Sequence, residues 1–293
     1  MNSFRDDLVI IGCALTGTAT PKEKNPNLPT TPEEIAEDAY RAWQAGAAMV
    51  HLHMRDENGK GVMDRELFAK TISLIRAHKD CDVIINCTSS GGPDRSGQRT
   101  KESRMAHFQT IPEIEVGSFD AGTLNWNDGY IFQNDPTFLK ELAKVYLEHG
   151  VRPEIEVFDM GMLGNAKHYA QTLQLLRPPL WIQFVLGVLG GADATADNLL
   201  HLVRALPEGA LWSATGIGRG HLEILYTAIA LGANGVRVGL EDNLYLDRGV
   251  PATNPGLVSR AAELIRLANK KPATPAQARE ILGLPPLISE AKK

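Results

Sequence analysis

Short runs of apolar and β-branched residues recur along the chain at near-regular intervals, and the polar and apolar positions between them follow helical spacing. Eight runs stand out: "LVIIGCAL" from 8, "MVHLHMRD" from 49, "DVIINCTSS" from 82, "IEVGSFDAG" from 114, "PEIEVFDMG" from 153, "LWIQFVLG" from 180, "LWSATGIG" from 211 and "GVRVGLEDN" from 235. Runs of this length and continuity suit strands covered on both faces. The stretch "TPEEIAEDAYRAWQAG" shows what lies between: Thr31 can cap a helix, Pro32 can take its first position and Gly46 can end it. Strand and helix alternate about eight times, which predicts an α/β fold, a closed (β/α)₈ TIM barrel rather than an open sheet. The tail "TPAQAREILGLP" predicts a short C-terminal helical extension. No repeat, low-complexity tract or linker divides residues 1–293, so a single TIM-barrel domain is expected.

Composition narrows the class without naming a function. The chain has 293 residues, 43% hydrophobic and 22% charged, with a net charge of -5 and no lysine or arginine run; a nucleic-acid surface is not expected. Cys13, Cys81 and Cys87 are too few and odd in number for a disulfide framework, which points to buried thiols in a reducing, cytoplasmic setting. The apolar run near the N-terminus is too short to span a bilayer, so no membrane association is expected.

Chemistry collects at the strand ends, where a barrel of this kind builds its active site. His51 and His53 stand two apart in a strand-like run, so they share a face. They can be core histidines satisfied by hydrogen bonds, or two nitrogen donors of a metal site. Glu241 ends the eighth run, and closure of the barrel brings that strand within one strand of the second. A rim ion pair would explain Glu241 alone; beside two histidines it completes a two-histidine, one-carboxylate set that suits zinc and leaves a position open for substrate. Arg237 shares the strand parity of Glu241 and is expected to point inward, with Asp242 as its partner, either as a structural ion pair or as an oriented base. Glu154 and Glu156 share a face and need partners of their own. "CTSSGGPD" offers Ser89, Ser90, Gly91 and Gly92 for an anion or for an ordinary turn, "DAGTLNW" offers Thr123 and Asn125, and "TGIGRGH" offers Arg219 to a phosphate. The loop "TGTATPKEKNPNLPTT" is long for a compact domain, which marks it as functional.

In these residues the chain resembles the β-keto acid cleavage enzyme family. The segments that carry the resemblance are "NPNLP", "AGAAMVHLHMRD", "SSGG", "DAGTLNW", "PEIEVFDMGM", "FVLGV", "GIGR" and "VRVGLEDNLYLDRG", spread over nearly the whole chain. The resemblance implies a zinc-dependent barrel, usually a homotetramer, that converts a β-keto acid and acetyl-CoA, its co-substrate, into acetoacetate and a new acyl-CoA. It implies His51, His53 and Glu241 as zinc ligands, Asp242 with Arg237 as the unit that removes the α proton, Ser89 at the substrate carboxylate and Thr123 as a further polar contact. One departure stands out. Where the amino-substrate member of the family has a glutamate, this chain has Ala19, which implies a neutral β-keto acid tail rather than an ammonium.

Two other classes fit parts of the pattern. A metal-dependent aldolase-like carbon–carbon lyase would use the same donors without acetyl-CoA. A non-catalytic metal-binding barrel would keep the donors and tolerate loss of the Arg237–Asp242 pair.

Overall fold

All eight expected strands form, and they close on themselves. The computed structural model describes residues 7–90, 92–127 and 129–287. The barrel strands are β1 (Leu8–Ala14), β2 (Met49–Leu52), β3 (Ile84–Cys87), β4 (Val116–Asp120), β5 (Arg152–Val157), β6 (Trp181–Leu186), β7 (Leu211–Gly216) and β8 (Gly235–Val238). Each pairs in parallel with the next, and β8 returns to β1 with Ile10 opposite Gly235 and Gly12 opposite Arg237. Helices α1 (Pro32–Gln44), α2 (Arg65–Ala77), α3 (Lys101–Thr110), α4 (Pro136–His149), α5 (Met160–Lys167), α6 (Ala196–Arg204), α7 (His221–Ala230) and α8 (Asn254–Leu267) follow the strands in turn. Thr31 caps α1 as its sequence predicts, in a capping box with Glu34 and with Pro32 in the first turn.

Alternation along the strands sorts side chains into two environments. Val9, Ile11, Cys13, Val50 and Ile85 face outward into the layer beneath the helices, whereas Ile10, Met49, Ile84, Val116 and Trp181 fill the lower interior. Two residues further along the same faces stand His51, Asn86, Ser118 and Gln183, all buried. The interior is thus apolar near the strand starts and polar near their ends. This gradient positions the site.

The expected C-terminal extension is α9 (Pro275–Leu282), capped reciprocally by Thr274 and Gln277. Its Ala278, Ile281 and Leu282 join the lower interior layer and close the bottom of the barrel. Arg279 clamps it there through Glu115, with Nε to Oε2 at 2.6 Å and Nη2 to Oε1 at 2.9 Å. No helix of the described residues is long and apolar enough to cross a membrane.

Two antiparallel hairpins add to the rim beyond the sequence-based expectation. One pairs Leu124–Trp126 with Tyr130–Phe132 after β4, and the other pairs Tyr245–Asp247 with Val250–Pro251 after β8.

Candidate active site

A cavity of about 390 Å³ opens at the C-terminal ends of the strands, lined among others by His51, His53, Asp120, Glu156, Arg237, Glu241 and Asp242. His51 sits on β2 opposite Asn86 of β3, and His53 follows one residue after the strand ends. Their rings are 5.0 Å apart at 66°. Burial holds the His51 imidazole neutral, lowering its pKa to about 3, so a ring nitrogen keeps its lone pair.

Glu241 does not reach the cavity by strand parity, because β8 ends at Val238. The chain turns at Gly239, where the amides of Asp242 and Asn243 both donate to the Gly239 carbonyl. Gly239 has φ +142°, and a Cβ there would stand 2.0 Å from the Ala14 carbonyl oxygen, so only glycine lets the turn lie against β1. The turn explains a pairing that a strand forbids: the adjacent side chains of Glu241 and Asp242 both face the cavity. Asn254 fastens it, accepting from Leu240 N at 2.8 Å and donating to the Leu15 carbonyl at 2.8 Å.

Arg237 does point inward, and its whole guanidinium is engaged. Nε donates to Asp242 Oδ2 at 2.9 Å and Nη2 to Asp242 Oδ1 at 3.0 Å, a two-point clamp. Nη2 also lies 3.0 Å from Glu241 Oε1, while Nη1 donates to Glu156 Oε1 at 3.2 Å and Gln183 Oε1 at 3.1 Å. Thr215 of β7 adds a bond to Asp242 Oδ2 at 3.1 Å, which leaves acceptor capacity on Oδ1. Burial raises the Asp242 carboxyl against the pull of Arg237.

The remaining acids divide in two. Glu154 accepts from Asn86 Nδ2 at 2.5 Å, Trp181 Nε1 at 2.9 Å and Gln183 Nε2 at 3.0 Å, a saturated structural group. Glu156 faces Asp120 across β4 and β5, and burial followed by the Asp120 charge pushes its carboxyl well above the usual range. Asp120, Glu154, Glu156, Glu241 and Asp242 thus crowd around Arg237, and this excess of acid favours a cation.

The donors for such a cation are present. Ligand atoms of His51, His53 and Glu241 lie within 4.8 Å of one another, and so do those of His51, Glu154 and Glu156. The first set fits better. His51 Nδ1, His53 Nδ1 and Glu241 Oε2 are buried without a hydrogen-bond partner, whereas Glu154 has three. Glu241 also lies 3.2 Å from His53 Nε2 and, although burial alone would raise it, His53 and Arg237 hold its carboxyl well below the ordinary value. Two imidazoles and an ionised carboxylate match the donors that zinc takes in open sites.

Other residues singled out by sequence fall in different places. Thr88 and Ser90 line the cavity, while Ser89 is buried behind them with its amide on Ser118 Oγ at 2.9 Å. Gly91 lies outside the described residues. Thr123 accepts from Asn134 N at 2.8 Å, and neither it nor Asn125 lines the cavity; their neighbours Trp126 and Asn127 do. Arg219 is not among the lining residues, although Ile217 and Gly218 of its loop are. Ala19 lines the cavity at an exposed point of the loop after β1. That loop is pinned at both ends. Arg55 donates to Thr16 Oγ1 and to the Thr16 and Gly17 carbonyls, and Asn25 donates to the Leu244 and Ala252 carbonyls. Asp120, Thr215, Arg55 and Asn25 carried no signal by spacing alone; the "NPNLP", "AGAAMVHLHMRD" and "DAGTLNW" segments contain three of them.

The chain matches the family model described as beta-keto acid cleavage enzyme over residues 8–284. It is 39% identical over 277 residues to a 3-keto-5-aminohexanoate cleavage enzyme of Fusobacterium nucleatum, covering 94% of this chain and 98% of that protein. It is 36% identical to a 3-dehydrocarnitine:acetyl-CoA trimethylamine transferase of Rhizobium meliloti, with coverage of 94% and 96%. Among solved structures, the apo structure of ObcA superposes with a TM-score of 0.79 at 25% identity, over 88% of this chain and 66% of that longer one.

Proposed function

The chain belongs to the β-keto acid cleavage enzyme family, and from that premise we propose that it condenses a β-keto acid with acetyl-CoA, giving acetoacetate and a new acyl-CoA, with Asp242 as the base. The observation that carries the proposal is the Arg237 clamp, which aims a buried carboxylate into the same cavity as three partnerless donor atoms. His51, His53 and Glu241 would hold zinc, which when bound polarises the keto group and acidifies the neighbouring carbon.

Asp242 accepts the α proton on the remaining lone pair of Oδ1, while Arg237 and Thr215 keep the carboxylate from rotating. The carbanion then forms a bond to the acetyl carbonyl carbon and expels CoA thiolate. The thiolate adds to the original keto carbon, the bond between that carbon and the α carbon breaks, and the α carbon leaves as acetoacetate, recovering the proton held by Asp242. Atoms balance with no redox step. The substrate carboxylate is received by the turn of Thr88 and Ser90, with Ser89 fixing that turn through Ser118. Thr123 and Asn125 act by shaping the rim hairpin. Ala19 faces the substrate tail and favours a neutral one. A zinc-loaded homotetramer in the cytoplasm, built from one domain per chain, completes the proposal.

The test is a panel of β-keto acids incubated with and without acetyl-CoA, following acetoacetate. Strict dependence on acetyl-CoA is expected. Cleavage that proceeds equally well without it would replace this proposal with the aldolase-like lyase.

A further inference from the structure

A second cavity, of about 320 Å³, lies beside the first and shares Ser90 and Phe132 with it. Arg99, Lys101 and Arg104 line it, and the only acid among its described lining residues is Asp135. That carboxylate is already committed as the cap of α4, accepting from Thr137 N and Phe138 N. The field in the cavity is therefore positive, and the start of α3 with its Thr100 cap adds to it.

The three cations have different duties. Arg104 donates to the Ser89 and Gln133 carbonyls and to Asn134 Oδ1, and its guanidinium lies 3.7 Å from the Phe138 ring centroid. Its Nε, Nη1 and Nη2 each donate to a neutral acceptor, so no paired anion cancels its charge there. Lys101 pairs with Glu141 at 3.2 Å in a part-exposed contact that a polyanion can displace. Arg99 is exposed and rests 5.1 Å from the ring centroid of Tyr130, a residue that lines the reaction cavity. One cationic cavity is thus joined to the reaction cavity by shared walls and by the Arg99–Tyr130 contact.

We propose that this side cavity receives the phosphate-bearing end of the CoA co-substrate, leaving its thioester in the reaction cavity. The inference rests on the acetyl-CoA dependence proposed above. Several cations exceed what a single keto-acid carboxylate requires, and that carboxylate must stay close to the reacting carbon. Phosphates suit the cavity because arginine and lysine side chains recognise them by charge-assisted hydrogen bonds.

The double variant Arg99→Ala, Lys101→Ala tests it, with Arg104 left in place because it holds the Ser89 turn. Acetyl-CoA is compared with acetyl-pantetheine, which keeps the thioester and lacks the nucleotide phosphates. The KM for acetyl-CoA should rise about 10- to 100-fold, with kcat/KM for acetyl-pantetheine and the KM for the keto acid unchanged and the far-UV circular dichroism spectrum preserved. Equal losses with both thioesters, or no loss with either, would overturn the proposal. Calorimetric titration of CoA into wild type and variant separates the two ideas. CoA binding that weakens in the variant, in an enzyme that makes no acetoacetate, would retain this site and remove the proposed reaction. Equal binding to both proteins, or none to wild type, would remove the site.

Discussion

Gly17 stands against Glu241 so closely that a Cβ added to it would lie 2.6 Å from Glu241 Cγ. Gly17 also has φ +57°, a left-handed conformation costly for other residues. The loop after β1 thereby forms one wall of the groove in which the carboxylate lies.

Gly17→Ala should therefore act on the metal before it acts on the fold. Glu241 has to move, and zinc affinity should fall about 10- to 100-fold, the usual effect of displacing a group that orients a ligand. Metal titration alongside thermal unfolding reads the two effects separately. Unchanged affinity would show that Glu241 is not a ligand in its present position.

His51→Ala and His53→Ala each remove one of three proposed donors, and both should lose stoichiometric zinc and activity together. Chelation of the wild type should do the same, with zinc restoring turnover. Plasma mass spectrometry gives the metal content. Full occupancy in both variants would sink the assignment.

Asp242→Asn is isosteric, keeps one of the two acceptors of the Arg237 clamp and removes the proposed base. Zinc content should persist while turnover falls roughly 10²-fold or more. Exchange of the substrate α proton in deuterated water, followed by NMR, isolates the step. Exchange at the wild-type rate in the variant would place the base elsewhere.

Ala19→Glu should shift preference from neutral tails towards the ammonium substrate of the Fusobacterium relative. A charge-assisted hydrogen bond is worth about 1–3 kcal/mol, and exposure of position 19 puts the expected change at the lower end. Competition between the two substrates on both proteins measures it. An unchanged ratio would mean that residue 19 does not meet the tail.

Acid should weaken the fold through His107. It is buried between Phe68 and Phe108, its Nε2 donates to the Thr88 carbonyl at 2.9 Å, and burial lowers its pKa to about 3. The unfolded chain binds this proton near pH 6.5 and the folded one near pH 3, so stability is complete above 6.5 and declines as pH falls through that window. The slope is about 1.4 kcal/mol per pH unit. Urea unfolding of His107→Gln between pH 4 and 7 should show a slope smaller by that amount. The same slope in the variant would assign the titration to another group.

Much of this architecture was legible in the chain because period-2 burial is a local property. The eight strands, the Thr31 cap and the terminal helix all follow from residues near one another in sequence. Parity also placed His51 and Arg237 on inward faces. It does not extend past the last strand, where Glu241 arrives through the Gly239 turn, or into the turn after β3, where Ser89 and Ser90 are both candidates by sequence and Ser90 borders the cavity. Turns have no fixed period, so facing cannot be counted off. The partners Thr215 and Asn25 depend on contacts between distant segments, which a linear pattern does not encode.

The pinning of the loop after β1 by Arg55 and Asn25 has an evolutionary consequence. Its ends are held by buried bonds, yet Ala19 between them is exposed at the cavity mouth. A change there reshapes the cavity mouth at little risk to folding, since exposed positions away from such bonds tolerate substitution. A lineage carrying this scaffold can vary the cavity mouth by a single codon, leaving His51 on its strand and Glu241 and Asp242 in the turn past β8 untouched.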